Sequence, residues 1–356
     1  MSTANLQIID HTLHFHFEAG TSRGVLTKKK SYYVSIHSEG KFGFGEAGPL
    51  AGLSPDYAED CLPAYQKTLE SLGPIPVEKS GISAFIQQIP FHQPALRFAV
   101  ESALLDLFAL KPGQYFDNSF ARGEKNIPIN GLIWMGKPDF MADQIEQKLN
   151  DGYPCLKLKI GALDFDTELG LLANLRKRFS KDQLTLRVDA NGAFSPEEAP
   201  SKLEKLANYD LHSIEQPIRA GQWDEMANLC RQEIIPIALD EELIGQENPA
   251  YVLDAIKPQF AIFKPSFLGG FEATKSWIEA CEKRGIDWWI TSALESNIGL
   301  QAIAQFTAEF PIKIPQGLGT GQLYTNNFAS GLRIEEGNIC FDQTFGREIP
   351  FQGLSL

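Results

Sequence analysis

Two short segments, CLKLKI (155–160) and LTLRVD (184–189), share a two-residue rhythm. Alternation along a strand puts Leu156, Leu158 and Ile160 on one face and Lys157 and Lys159 on the other. In the second segment Leu184, Leu186 and Val188 share a face, leaving Thr185, Arg187 and Asp189 opposite. Strands whose apolar face packs on helices must aim their charges inward, and that is the grammar of a closed parallel barrel. Glu215, Asp240 and Lys264 end the next three apolar runs in the same phase, at spacings of 26, 25 and 24 residues counted onward from Asp189. One charged residue per βα unit therefore arrives at one height on the C-terminal rim, where barrel active sites are built.

Outward from this centre, apolar runs at 127–134, 155–160, 184–189, 211–215, 235–240, 260–264, 287–291 and 312–316 alternate with helical segments. Eight such strands joined by helices read as a barrel rather than a doubly wound sheet, since no GxGxxG follows any strand. The first third follows another pattern. From Leu6 to Phe44 it alternates with a period of two and is punctuated by Gly20, Gly24 and Gly40, an antiparallel meander. Helical patterns follow at 55–72 and 80–88 and from Pro94, where Leu96, Val100, Ala103, Leu104 and Leu107 form one apolar face. The expected division is an α+β capping domain (1–122), a barrel (123–325) and a C-terminal segment (326–356) returning to the cap.

The 356 residues are 43% hydrophobic, ample for a packed core, and the formal charge of −13 disfavours nucleic acid or an anionic membrane as partner. No apolar run approaches the ~18–20 residues of a membrane helix, and MSTANLQIID meets Asp10 before an apolar signal core could form, so a cytoplasmic location is expected. Five scattered cysteines without CxxC spacing read as reduced filler. The basic run Lys28-Lys29-Lys30 reads as guards of an exposed sheet edge.

Asp189, Glu215 and Asp240 cannot all ionise at a partly buried rim unless a cation compensates them. An all-oxygen ligand set selects a hard ion, Mg²⁺ first and Mn²⁺ second. None of the six histidines has this placement, so the base is expected among the lysines. Lys159 and Lys264 flank the acidic strands, and a substrate anchored on the ion would lie between two amines.

With these residues in place, LKLKIG, RVDANG, IEQP, LDEE and FKPS resemble the signature of the enolase superfamily, muconate-lactonizing subgroup. TSRGVLTKKK, GFGEAGPLAGLS, ALRFAVESALLDL and SALESNIGL are similar to its o-succinylbenzoate synthase family, in which the position of Ala51 usually carries proline. The resemblance implies a (β/α)7β TIM-like barrel with a capping domain, and a Mg²⁺-dependent hydro-lyase of menaquinone biosynthesis. Its substrate would be a small dicarboxylate, dehydrated through an enediolate. Asp189, Glu215 and Asp240 would bind the metal, Lys159 would move the proton, and Lys264 would act as a cation. Lys157, Arg187, Ser296, Asn297, Gly317 and Arg23 would contact substrate, with Arg187 equally a structural partner of the acids. The N–H groups at 295–299 could receive a second carboxylate.

An isomerase on the same scaffold, an N-acylamino acid racemase or dipeptide epimerase, is the alternative. An epimerase is expected to carry an acidic pair after strand eight for the substrate ammonium, and GLGTGQLYTNN has none. The carboxylates make a Schiff-base enzyme using Lys264 unnecessary. A non-catalytic binding protein would bear the cost of the charged set without a ligand.

Overall fold

The computed structural model describes residues 5–21 and 24–351. Strands β1 (Asn5–Thr21), β2 (Gly24–Ser38) and β3 (Lys41–Ala47) form the antiparallel meander, with Leu6 opposite Ile36 and Val34 opposite Gly45. Helices α1 (Leu62–Glu70), α2 (Ile82–Ile86) and α3 (Pro94–Leu107) pack against it. The approach of α3 to β3 is close: a Cβ on Gly45 would stand 1.9 Å from the Ala99 carbonyl oxygen. Alternation in GFGEAG thus leaves glycine where backbone meets helix. The expected apolar face of α3 is buried, but so are Phe98 and Glu101 on its other side, because that side docks on the barrel.

The barrel sheet runs β5 (Gly131–Ile133), β6 (Cys155–Lys159), β7 (Thr185–Asp189), β8 (Ser213–Glu215), β9 (Ile237–Leu239), β10 (Phe260–Phe263) and β11 (Asp287–Ile290), parallel and in chain order. Helices α4 (Pro138–Asn150), α5 (Phe165–Arg178), α6 (Ala199–Ala207), α7 (Trp223–Gln232), α8 (Pro249–Ile256), α9 (Pro265–Leu268), α10 (Phe271–Glu282) and α11 (Asn297–Thr307) intervene and follow. Their apolar faces and the outward residues of the strands make the main core, in which Leu156, Leu186, Ile214 and Phe263 are inaccessible.

Two expectations need correction. The run at 127–134 is two strands, because β4 (Ile127–Pro128) leaves the barrel to pair with the C-terminal hairpin β12 (Leu332–Glu335) and β13 (Asn338–Phe341). The run at 312–316 forms no strand: Pro315 has no N–H to donate, and closure falls to the two residues after it. Gln316 N donates to Pro128 O (2.8 Å) and Asn130 N to Gln316 O (2.9 Å) on one side. Gly317 N donates to Ile290 O (2.8 Å) on the other. The terminal segment touches the cap as well, through Arg347 on Asp106 (2.6 Å) and Phe351 against Phe44. All five cysteines are buried and unpaired.

Candidate active site

Strand register aligns three of the inward charges, while Asp240 lies two residues beyond Ala238, the partner of Glu215. Lys159 pairs across to Asp189, and Asp189 to Glu215; one pleat below, Lys157 is level with Arg187. Parallel neighbours lie about 5 Å apart, so the side chains on one level must interact. Lys157 Nζ bridges Asp189 Oδ2 (3.0 Å) and Glu215 Oε2 (2.5 Å), Lys159 Nζ reaches Asp189 Oδ2 (3.1 Å) and Asn191 Oδ1 (2.8 Å), and Lys264 Nζ pairs with Asp240. Lys157, Lys159, Asp189, Asn191 and Lys264 form the floor of a cavity of about 260 Å³, with Glu215 and Asp240 behind them. Trp134, Phe267 and Leu294 wall it from the barrel, while Val25, Leu50 and Leu53 close it from the cap.

The electrostatics follow from burying acids and amines together. Burial alone would raise Asp189, but Lys157, Lys159 and Lys264 hold its carboxylate ionised well below the usual range. Glu215 is pushed well up by burial and by Asp189, with Lys157 only partly offsetting them. Lys157 is raised despite its burial, by Asp189 and Glu215, and Lys264 by Asp240 and Glu215 in the same way. Attraction to the acids therefore outweighs the burial and cation repulsion that would lower these two amines.

Among the described residues no three carboxylates converge closely enough to hold a metal ion as they stand, since each is turned onto a lysine. The donor set nevertheless fits a hard cation. Three nearly inaccessible carboxylates share one rim, and Glu215 Oε1 is buried with no hydrogen-bond partner.

The other expected contacts are dispersed. Gly317 lines the cavity, its Cα against Thr291, where a Cβ would come within 2.1 Å of the Thr291 hydroxyl. Arg187 is below the cavity rather than on its wall, stacked 4.2 Å from the Trp289 ring centroid and donating to Pro315 O (2.8 Å). Ser296 and Asn297 are turned away from it. The Ser296 and Gly299 amides and the Ser296 hydroxyl bind the Glu46 carboxylate of β3 (2.9, 3.1 and 2.6 Å), and Asn297 binds Asn327 and Phe328. The helix N-terminus expected to receive a substrate carboxylate thus holds an internal one. Arg23 lies outside the described residues.

Lys29 overturns the edge-guard reading. Lys28 is exposed and Lys30 pairs with Asp10 and Asp60, but Lys29 is buried and donates to Ala293 O (3.2 Å) and Leu294 O (2.7 Å). Period-two alternation already separates it from its neighbours. Asn191 was also missed: its side chain links Lys159 to Glu241 (2.8 and 3.0 Å). The signal was its place two residues after an inward acid.

The family profile described as "Enolase C-terminal domain-like" matches residues 140–347. The chain is 50% identical to an o-succinylbenzoate synthase of Desulfotalea psychrophila, over 95% of this chain and 99% of that protein. The crystal structure of MenC from the same organism superposes with a TM-score of 0.84 at 46% identity, covering 95% of this chain and 99% of that one. A dipeptide epimerase of Enterococcus faecalis, solved with Mg and the dipeptide L-Leu-L-Tyr, has a TM-score of 0.83 at 20% identity over 96% and 98% of the two chains, a likeness of fold alone. The in-phase acids and lysines, the barrel that carries them and these end-to-end likenesses place the chain in the enolase superfamily.

Proposed function

We infer that the protein dehydrates 2-succinyl-6-hydroxy-2,4-cyclohexadiene-1-carboxylate to o-succinylbenzoate. In this hydro-lyase reaction one C–H and one C–O bond break, a ring double bond forms and water leaves. Similarity along the whole chain to the Desulfotalea synthase carries the reading. The cavity supports it: the one carboxylate on its wall among the described residues is Asp189, which leaves no acid there to receive the ammonium of a dipeptide.

In this reading Lys159 Nζ takes the proton from the carbon beside the substrate carboxylate and returns it to the leaving hydroxyl. Asp189 and Asn191 fix that nitrogen at the cavity wall. Lys264, from the opposite flank of the acidic strands, remains an ammonium and stabilises the negative charge that develops. Lys157 lies deeper, holding Asp189 and Glu215 apart from one another's charge. Asp189, Glu215 and Asp240 would hold one Mg²⁺, with Mn²⁺ able to substitute, and the bound ion would supply Lewis-acid stabilisation of the substrate carboxylate. Apolar walls exclude water from the reacting carbon.

The product is the aromatic intermediate of menaquinone biosynthesis, and a cytoplasmic location is part of the same proposal. No described helix is long and apolar enough to cross a membrane. The test compares kcat/KM for the cyclohexadiene, an N-succinylamino acid and a dipeptide on one Mg²⁺-loaded preparation. Faster processing of either amino-acid derivative would replace this reading with the isomerase.

A further inference from the structure

The cavity has a charged end and an apolar end, and the apolar end contains an unusual backbone. Leu294 has φ +64°, in the left-handed region that a leucine side chain disfavours. Its side chain belongs to the cavity wall and packs towards Trp134, Leu323 and Tyr324. Such a conformation persists only where its surroundings impose it.

Two groups impose it. The turn at Leu294 brings the carbonyls of Ala293 and Leu294 onto one ammonium, Lys29 Nζ of the cap (3.2 and 2.7 Å). The Tyr324 hydroxyl also donates to Leu294 O (2.7 Å). Burial pushes the Lys29 amine below its ordinary value, and the nearby carboxylates of Glu46 and Glu295 oppose that shift. Both are themselves fixed, Glu46 by Ser296 and Ser31 and Glu295 by Ser266 and Ser292. Gly48 leaves room for the lysine to pass, since a Cβ there would stand 2.4 Å from Nζ. A buried amine that donates to two successive backbone carbonyls is a strong local constraint.

We propose that Leu294 is a specificity-determining residue, shaping the apolar end of the cavity around the substrate's ring carbons and the methylenes of its succinyl chain, and that Lys29 and Tyr324 are positioning residues that hold it there. The capping domain would then set substrate fit through the main chain of a barrel loop as well as through Val25, Leu50 and Leu53. The identity of the ligand rests on the dehydration reading; the clamp itself does not.

The test uses Lys29→Met, Tyr324→Phe, Leu294→Gly and the double variant Lys29→Met/Leu294→Gly. Lys29→Met should raise KM for the cyclohexadiene about tenfold and Tyr324→Phe about threefold, each with kcat within threefold of wild type. Amide hydrogen exchange across 293–299 should quicken in both. Because the clamp acts through Leu294, adding Lys29→Met to Leu294→Gly should raise KM no further. Lower thermal stability with unchanged KM would mark Lys29 as structural only and overturn the proposal. If Lys29→Met fails to fold, an unchanged KM in Tyr324→Phe overturns it alone. Wild-type enzyme that does not turn over the cyclohexadiene sinks the dehydration reading instead, while the exchange measurement still decides whether the clamp exists.

Discussion

Two lysine runs follow the same alternation and end in different places. Lys157 and Lys159 lie on one face of a central barrel strand covered on both sides, so both are largely withdrawn from water and meet the acids of adjoining strands. Lys28, Lys29 and Lys30 straddle the two faces of a cap strand. The outer two stay near solvent, while the middle one is covered by a loop 264 residues later in the chain. Alternation assigns a side chain to a face; whether that face is wet depends on what packs over it. In the barrel every inward face is covered because the sheet closes on itself, whereas in the cap the cover is a particular loop.

The most severe test of this contrast is Lys159→Ala, which should lower kcat by at least roughly a thousandfold with the fold intact by circular dichroism. A variant with near wild-type kcat would move the proton transfer elsewhere. Lys264→Arg retains charge but not shape, and a loss of about a hundredfold is expected. Glu215→Gln and Asp240→Asn should each weaken Mg²⁺ binding by roughly two orders of magnitude in calorimetric titration, against one site in the parent protein. Unchanged affinity in both would remove the metal assignment.

The cap has a buried charge of its own that sharpens the comparison. Glu101 accepts from the Phe271 and Glu272 amides (2.6 and 3.1 Å), yet among the described residues no lysine pairs with it as in the barrel. Burial pushes it up to about 7, partly offset by those amides and by Arg97, with Glu272 adding repulsion. A carboxyl raised in the folded state contributes stability below its unfolded value near 4.5, and loses it as pH rises through 7. Thermal stability should therefore fall between about pH 5 and 8, by up to about 3 kcal/mol. Glu101→Gln should flatten that slope; an unchanged slope would assign it to other groups. The smallest effect belongs to Lys28→Ala, expected within about 0.5 kcal/mol of the parent, as for a solvated face. A larger loss would mean that this side of the strand is covered too.

The barrel was legible because its signal repeats. Five strands each closed an apolar run with an inward charge at nearly constant spacing, two of them in strict alternation, and one rule read five times leaves little freedom in register. The eighth strand misled because 312–316 looks apolar and β-like, while its closing contacts are made by Gln316 and Gly317, after a proline. The loop at 295–299 misled in another way. Its free amides did call for an anion, and the chain itself supplied one in Glu46, far away in sequence.

By itself, then, the sequence determined which residues point inward, which strands carry them and that acids and amines share one rim. Those properties follow from local alternation and from the length of a βα unit. Tertiary structure alone decided what covers each face: that Lys29 is buried rather than solvated, that Glu46 occupies the start of α11, and that Leu294 is held in a left-handed turn on the cavity wall. Each of these depends on a contact between distant parts of the chain, and no periodicity in a single segment encodes its partner.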